Sequence, residues 1–129
     1  MILLTGSTGF VGRHLKPLLE RQGYEILCYT RDMDLSSLSS SRPNIKTVIN
    51  CAGEITDQTK MFEANVVLVE RLLRFAREMN VAKFIQIGSS SEYGVISEPR
   101  KEDMRCVPTD WYSATKIAAT NLCLGYAYQ

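Results

Sequence analysis

The amino-acid pattern predicts an α/β fold: a doubly wound parallel sheet with helices on both faces and a third strand that is short or absent. Three observations predict it. Short apolar runs at 1–5, 25–30, 47–51 and 83–88 read as buried strands, and segments with helical spacing alternate with them. The first run passes directly into a turn rich in glycine. Such alternation implies parallel strands joined by right-handed crossovers, with ligands held beyond the carboxyl ends of the strands.

The elements follow in order. After the first strand, Val11, Leu15, Leu18 and Leu19 recur at helical spacing, and Gly23 is placed to close that helix. Pro17 removes one backbone donor inside it and is expected to bend or loosen it. Residues 25–30 form the second strand. The serine-rich stretch 31–46, with Pro43 and Asn44, has room for at most a fragment of strand near Asp34-Leu35 and a helical turn. The run 47–51 is the next strand. Val69, Leu72, Leu73, Ala76 and Met79 mark one face of a long helix, with Glu70, Arg71, Arg74, Arg77 and Glu78 on its other side. Residues 83–88 make the last clear strand, a polar loop follows, and a final helix is expected from about Tyr112 to the end.

With 129 residues the chain is one domain of ordinary size, and 45% hydrophobic content can build a core. A formal net charge of +1 supplies no field to recruit nucleic acid or an anionic membrane. No apolar run approaches the ~18 residues that span a bilayer. The opening Met1-Ile2-Leu3-Leu4 carries no basic leader, so a cytoplasmic protein is expected. Cys28, Cys51, Cys106 and Cys123 are scattered without a close pair, and His14 is the lone histidine; no disulfide or metal site is expected.

The segment Thr5-Gly6-Ser7-Thr8-Gly9-Phe10-Val11-Gly12 joins the first strand to the first helix. Its glycines are spaced three and three, unlike the commoner two-then-three dinucleotide fingerprint, but the physics is shared. Gly6 permits the tight turn, Gly9 lets a pyrophosphate approach the backbone, and Gly12 allows close packing. The amides of Thr8, Phe10 and Val11 then point at phosphates from a helix N-terminus. A dinucleotide-binding, Rossmann-like domain is expected.

This turn resembles that of the extended short-chain dehydrogenases/reductases, the NAD(P)-dependent epimerase/dehydratase family, whose members mostly act on nucleotide-linked sugars. The likeness covers nearly the whole chain. An acidic residue ending the second strand would bind the ribose diol of NAD. Here Tyr29-Thr30-Arg31-Asp32 stands at that place, and Arg31, with Arg13 near the helix start, favours the 2′-phosphate of NADP. Asp32 keeps NAD open. By the resemblance, Asp34-Leu35 looks like the pair that borders the adenine, and Cys51-Ala52-Gly53 like the small-residue loop over the cofactor's middle.

Tyr112 and Lys116 lie four apart at a helix start, so a phenol and an ammonium share one face and can meet one ligand. A free tyrosine has a pKa of ~10; bringing it near ~7 takes ~4 kcal/mol, within reach of a lysine and a cationic nicotinamide ring. In the family, a Ser or Thr lies four residues before the Tyr of a Tyr-Gly pair. Counting back from Tyr93 gives Ser89, and a shift of one residue gives Ser90. Dehydratases of the family use an acidic pair in this loop. Here Glu92 stands alone and offset by one, which lowers the case for dehydration without removing it. Asn65 resembles a recurrent, structural asparagine of the family.

The resemblance implies reversible hydride transfer: Ser89 orients the substrate oxygen, Tyr112 moves its proton, and Lys116 lowers the tyrosine pKa and contacts the nicotinamide ribose. Epimerisation, dehydration and reduction all start there, so an oxidoreductase or isomerase is expected. Family members continue beyond this helix into a smaller substrate domain. The expectation is therefore a fragment that holds the dinucleotide site and lacks the substrate domain, or a fold completed by another copy. The face of the last helix with Ile117, Leu122, Leu124 and Tyr126 would otherwise be bare and invite self-association. The alternative function is a non-catalytic NADP-binding sensor or interaction module.

Overall fold

The computed structural model describes residues 1–41 and 43–128. Arg42, in the serine-rich stretch, and Gln129, at the expected end of the last helix, lie outside the described residues. The described strands are β1 (Ile2–Thr5), β2 (Ile26–Tyr29), β3 (Thr47–Asn50) and β4 (Lys83–Gln86). The α-helices are α1 (Phe10–Arg21), α2 (Leu35–Ser41), α3 (Gln58–Phe62), α4 (Leu68–Glu78) and α5 (Trp111–Ala127). Contacts divide the chain into two units: Met1–Gly53 with Arg71–Ile87, and Glu54–Glu70 with Gly88–Gln129.

The first unit is built on a parallel sheet of order β2-β1-β3-β4. The chain runs outward from β1 to β2, then crosses back to place β3 on β1's other edge. That reversal of direction defines a switch point at the carboxyl ends of β1 and β3. Ile2, Leu4 and Ile49 form one buried cluster, packed by Leu15 and Leu19 of α1 and by Ile26 and Cys51. Leu3 and Val48 alternate to the opposite face and are also fully buried, so both faces of the sheet are covered. This is the doubly wound, Rossmann-like arrangement expected.

Of the two alternatives for the third strand, short or absent, the second holds: no strand forms near Asp34-Leu35. Asp34 instead accepts the Ser36 N–H at 3.1 Å and hydrogen bonds from the Ser36 and Ser37 hydroxyls, the cap geometry that starts a helix at Leu35. Serine near a helix start competes for backbone partners, and here Asp34 turns that tendency into a helix rather than a strand. Gly23 takes φ +83° just after α1, as a left-handed terminator should. Pro17 sits within α1, which stays continuous from Phe10 to Arg21.

A polar row crosses the sheet at its carboxyl end. Thr5, Asn50 and Gln86 are in register on β1, β3 and β4. The buried Thr5 hydroxyl donates to Asn50 Oδ1, and Asn50 Nδ2 donates to Gln86 Oε1 at 2.8 Å. Thr5 ends its apolar run, whereas Asn50 and Gln86 lie one and two residues before the ends of theirs, and sequence reading missed the row.

In the second unit, α5 packs against α3, against a π-helical turn at Glu63–Val67, and against a 3₁₀ turn at Ser90–Tyr93. The long helix, expected to start at Asn65, begins earlier, at Gln58, because Asp57 caps it through the Thr59 N–H. The π turn breaks the 3.6 period between these segments, which hid the early part from a pattern search. Among the described residues no helix is long and apolar enough to cross a membrane.

Candidate active site

The glycine turn of the first unit is a close-packed backbone device. Gly6 has φ +61°, and a Cβ there would lie 2.6 Å from the Ala52 nitrogen and 2.7 Å from the Cys51 carbonyl carbon. A Cβ on Gly12 would lie 2.2 Å from the Gly6 oxygen, so Gly12 serves close packing against the turn itself. Gly9 closes the turn by donating its N–H to the Gly6 oxygen at 3.0 Å. It is the N-cap of α1, and no side chain caps that helix end. Thr8, Phe10 and Val11 are exposed here, with Phe10 76% accessible. Uncapped amides at a helix N-terminus, beside a glycine that leaves room for close approach, suit a pyrophosphate.

The residues expected near this ligand fall at the carboxyl end of the sheet. Arg31 and Asp32 are exposed in the turn after β2, where a hydrogen bond from the Thr30 hydroxyl holds the Asp32 carboxyl below its usual range. Arg13 is exposed, its guanidinium 5.4 Å from the centre of the Phe10 ring. Asp34 is exposed and held low by the Ser36 hydroxyl, whereas Leu35 is buried and its side chain belongs to the core. Cys51, Ala52 and Gly53 follow β3. Ala52 donates its N–H to Thr5 Oγ1 and Asn50 Oδ1, both at 3.2 Å, so the polar row holds this loop as well. Burial pushes the Cys51 thiol up.

The second unit holds Ser89, Tyr112 and Lys116. Asp110 caps α5, accepting the Ser113 N–H at 2.6 Å while the Ser113 hydroxyl accepts the Asp110 N–H at 3.1 Å. This box sets the helix start and places Tyr112 in its first turn. Tyr112, Lys116 and Thr120 recur every four residues, so they form one stripe of α5. Tyr112 is half-buried and Lys116 is only 5% exposed. Burial pushes the Lys116 ammonium down, and the charges of Glu92 and then Cys123 oppose that.

Ser89 caps the 3₁₀ turn. Its hydroxyl accepts the Ser91 N–H at 3.2 Å and lies 2.6 Å from the Ser91 hydroxyl. With Ser91 as donor in that pair, the Ser89 proton stays available to a ligand. Ser90 is exposed on the next position. Glu92 is buried: Oε1 accepts the Ser89 N–H at 2.7 Å and Oε2 accepts the Thr120 hydroxyl at 2.8 Å. The carboxylate weighed for elimination chemistry is thus engaged on both oxygens.

Asn65 lies in the π turn and is 2% exposed. It accepts the Glu54 N–H at 2.8 Å and donates to the Glu54 carbonyl at 2.9 Å and to Thr115 Oγ1 at 3.0 Å. The structural role expected for it is what these contacts describe. Sequence reading did not connect it to Thr115, because fifty residues separate the two.

Comparison with known proteins agrees with the fold. The sequence profile described as the NAD dependent epimerase/dehydratase family matches residues 2–129. The chain is 32% identical to dTDP-6-deoxy-L-talose 4-dehydrogenase (NAD(P)(+)) of Kitasatospora kifunensis, over 92% of this chain and 45% of that protein. It is 28% identical to GDP-6-deoxy-D-mannose reductase of Pseudomonas aeruginosa, over 95% of this chain and 46% of that protein. Among solved structures, MoeE5 in complex with UDP-glucose and NAD superposes with a TM-score of 0.88 at 28% identity, covering 99% of this chain and 49% of that one. The chain spans about half the length of the relatives it matches. A glycine turn, a doubly wound sheet and a profile match over nearly every residue lead to one conclusion: the chain belongs to the NAD-dependent epimerase/dehydratase family.

Proposed function

We propose that the chain carries the NAD(P)-binding and proton-transfer parts of an oxidoreductase acting on a ring hydroxyl or carbonyl of a nucleotide-linked sugar. The observation that carries this reading is the α5 stripe: a half-buried phenol one turn from a buried ammonium, on a helix bonded through Glu92 to the Ser89 turn. Relatives named as a 4-dehydrogenase and a 4-epimerase make the sugar's position 4 the first place to look.

Gly6, Thr8, Gly9, Phe10, Val11 and Gly12 would hold the pyrophosphate, Asp34 and the backbone of Leu35 would border the adenine, and Cys51, Ala52 and Gly53 the middle of the cofactor. When bound, the dinucleotide supplies or accepts the hydride. Ser89 donates a hydrogen bond to the sugar oxygen and holds it for Tyr112. Tyr112 gives its proton to that oxygen in reduction and takes one in oxidation. Lys116 would stabilise the phenolate and, with the dinucleotide bound, would contact the nicotinamide ribose. Simple reduction or epimerisation is favoured over dehydration, since Glu92 is committed to Ser89 and Thr120.

Exposed Arg31 favours NADP, and Arg31→Ala is expected to weaken NADPH binding ~10-fold while leaving NADH nearly unchanged. Among relatives, RMD from Pseudomonas aeruginosa is complexed with NADPH, and MoeE5 with NAD.

The test is NADPH consumption with dTDP-, UDP- and GDP-linked 4-keto-6-deoxyhexoses. Tyr112→Phe should lower turnover by ~10²–10⁴-fold and leave NADPH affinity unchanged. Saturable NADPH binding with no turnover of any of these sugars would instead favour a non-catalytic dinucleotide-binding module. Whether the relatives' additional length supplies a substrate domain is read by repeating the assay on a chain of the relatives' full length.

A further inference from the structure

Glu92 is the buried ionisable group that the proposed chemistry leaves without a task. It is 5% exposed, and a carboxylate is costly to bury unless its oxygens are partnered. Both are, and the partners lie on two separate elements. Oε1 takes the Ser89 N–H, at the residue proposed to orient the substrate, and Oε2 takes the Thr120 hydroxyl, one turn beyond Lys116 on the stripe that begins at Tyr112. The backbone of Glu92 is held as well: its N–H donates to the Ser89 carbonyl at 3.2 Å within the turn, and its carbonyl accepts the N–H of Val107, in the loop before α5, at 2.9 Å. A Cβ on Gly88 would stand 3.0 Å from Oε1, so the preceding glycine leaves room for this carboxylate.

We infer that Glu92 is a positioning residue whose carboxylate clamps the Ser89 turn to the Tyr112–Lys116–Thr120 face of α5 and serves as the buried counter-charge of Lys116. The inference rests on the proposed roles of Ser89, Tyr112 and Lys116. The elements packed on α5 carry several ionisable groups: Glu92 and Tyr93 on the 3₁₀ turn, Glu63 on the π turn, and Lys60 on α3 with Asp57 at its cap. Tyr112, Cys123 and Tyr126 lie on α5 itself. Glu63 and Lys60 are exposed, whereas Glu92 is buried like Lys116 and bonded to Thr120, one turn from Lys116 on the same stripe. A filler role would need only volume; a counter-charge role needs the negative charge itself.

The experiment separates clamp from charge without needing turnover. In the full chain labelled with ¹³C-lysine, the Lys116 resonance, assigned by Lys116→Arg, is followed against pH. Glu92→Gln keeps the shape and removes the charge, and should make the Lys116 proton ~10-fold easier to lose. Deuterium exchange at the Ser89 amide should rise ~10-fold in Thr120→Val and return to the parent rate in Thr120→Ser. With a sugar substrate in hand, Glu92→Gln should lower kcat ~10-fold and shift its pH profile, with the KM for NADPH unchanged. An unchanged Lys116 titration in Glu92→Gln overturns the counter-charge. Unchanged Ser89 exchange in Thr120→Val overturns the clamp, and it remains readable even where Glu92→Gln does not fold. Absence of turnover in the parent chain counts against the catalytic reading alone, since both spectroscopic results stand without it.

Discussion

In the first unit the candidate binding surface is made of backbone; in the second it is made of buried polar side chains. The glycine turn works through what is missing, a Cβ at Gly6 and Gly12 and a side-chain cap at Gly9. The α5 region works through what is present: Lys116, Glu92, Asn65, Ser113 and Thr115 are all buried with polar or charged groups. A backbone site tolerates no added atom, whereas a side-chain site tolerates no lost partner. The two units should therefore fail under opposite kinds of substitution.

The largest effect is expected at Gly6. Alanine there meets both a left-handed φ and the Cys51–Ala52 backbone, neither of which can move cheaply. Gly6→Ala should cost about 3 kcal/mol or more, read as a lower urea midpoint. Gly23 provides the control. Its φ is +83°, but an added Cβ meets nothing within 4 Å, so Gly23→Ala carries the backbone strain alone, about 1 kcal/mol. Equal midpoints for the two variants would show that crowding at the turn is not what makes Gly6 necessary.

Asn65→Ala is the matching loss in the second unit. It strips partners from the Glu54 N–H, the Glu54 carbonyl and the Thr115 hydroxyl at once. The Thr115 hydroxyl also donates to the Tyr112 carbonyl at 2.8 Å, and that bond survives. A destabilisation of about 2–3 kcal/mol follows from leaving buried groups unsatisfied. A change near zero would mean that the Glu54 loop finds other partners.

This contrast also explains what could be read in advance. The turn at 5–12 was legible because a backbone site writes itself locally, as glycines at fixed spacing between a strand and a helix. The Tyr112–Lys116 pair was legible because helix geometry converts a spacing of four into a shared face. The Thr5–Asn50–Gln86 row, the Asn65–Thr115 bond and the Glu92–Thr120 bond were not, since each joins residues far apart in sequence. The helix after Asp34 was misread in part because a short serine run has no periodicity to distinguish strand from helix; its cap decided the matter.

Gly9 offers a smaller and sharper comparison within the turn. Its added Cβ would meet only the Gly6 oxygen, at 3.3 Å, and its φ of −73° is ordinary. Gly9→Ala should leave stability within about 0.5 kcal/mol of the parent and weaken NADPH binding roughly tenfold by blocking close approach. Stability lost in parallel with binding would assign Gly9 to folding rather than to the ligand.

The smallest expected effect concerns Glu54 in the second unit. Its carboxylate accepts the Thr56 N–H at 2.9 Å, the Asp57 N–H at 3.1 Å, the Thr56 hydroxyl at 3.0 Å and the Ile55 N–H at 2.9 Å. These bonds, led by the Thr56 and Asp57 amides, lower its pKa from 4.5 to about 2. A carboxylate whose folded pKa lies below its unfolded one adds stability that is fully present above pH 4.5 and disappears as pH falls through about 2. Glu54→Gln keeps an acceptor for the same amides but cannot titrate, so the acid limb of stability against pH should flatten within that window. It should not become level, because Asp57 also titrates low, at about 2, held first by Lys60 and then by Thr59. Both groups are only half-buried and open to screening by solvent, so the difference between parent and variant should be small at neutral pH and shrink further with salt. An acid limb identical in parent and Glu54→Gln would mean that these amides turn to water when the carboxylate is lost, and that the loop is held by Asn65 alone.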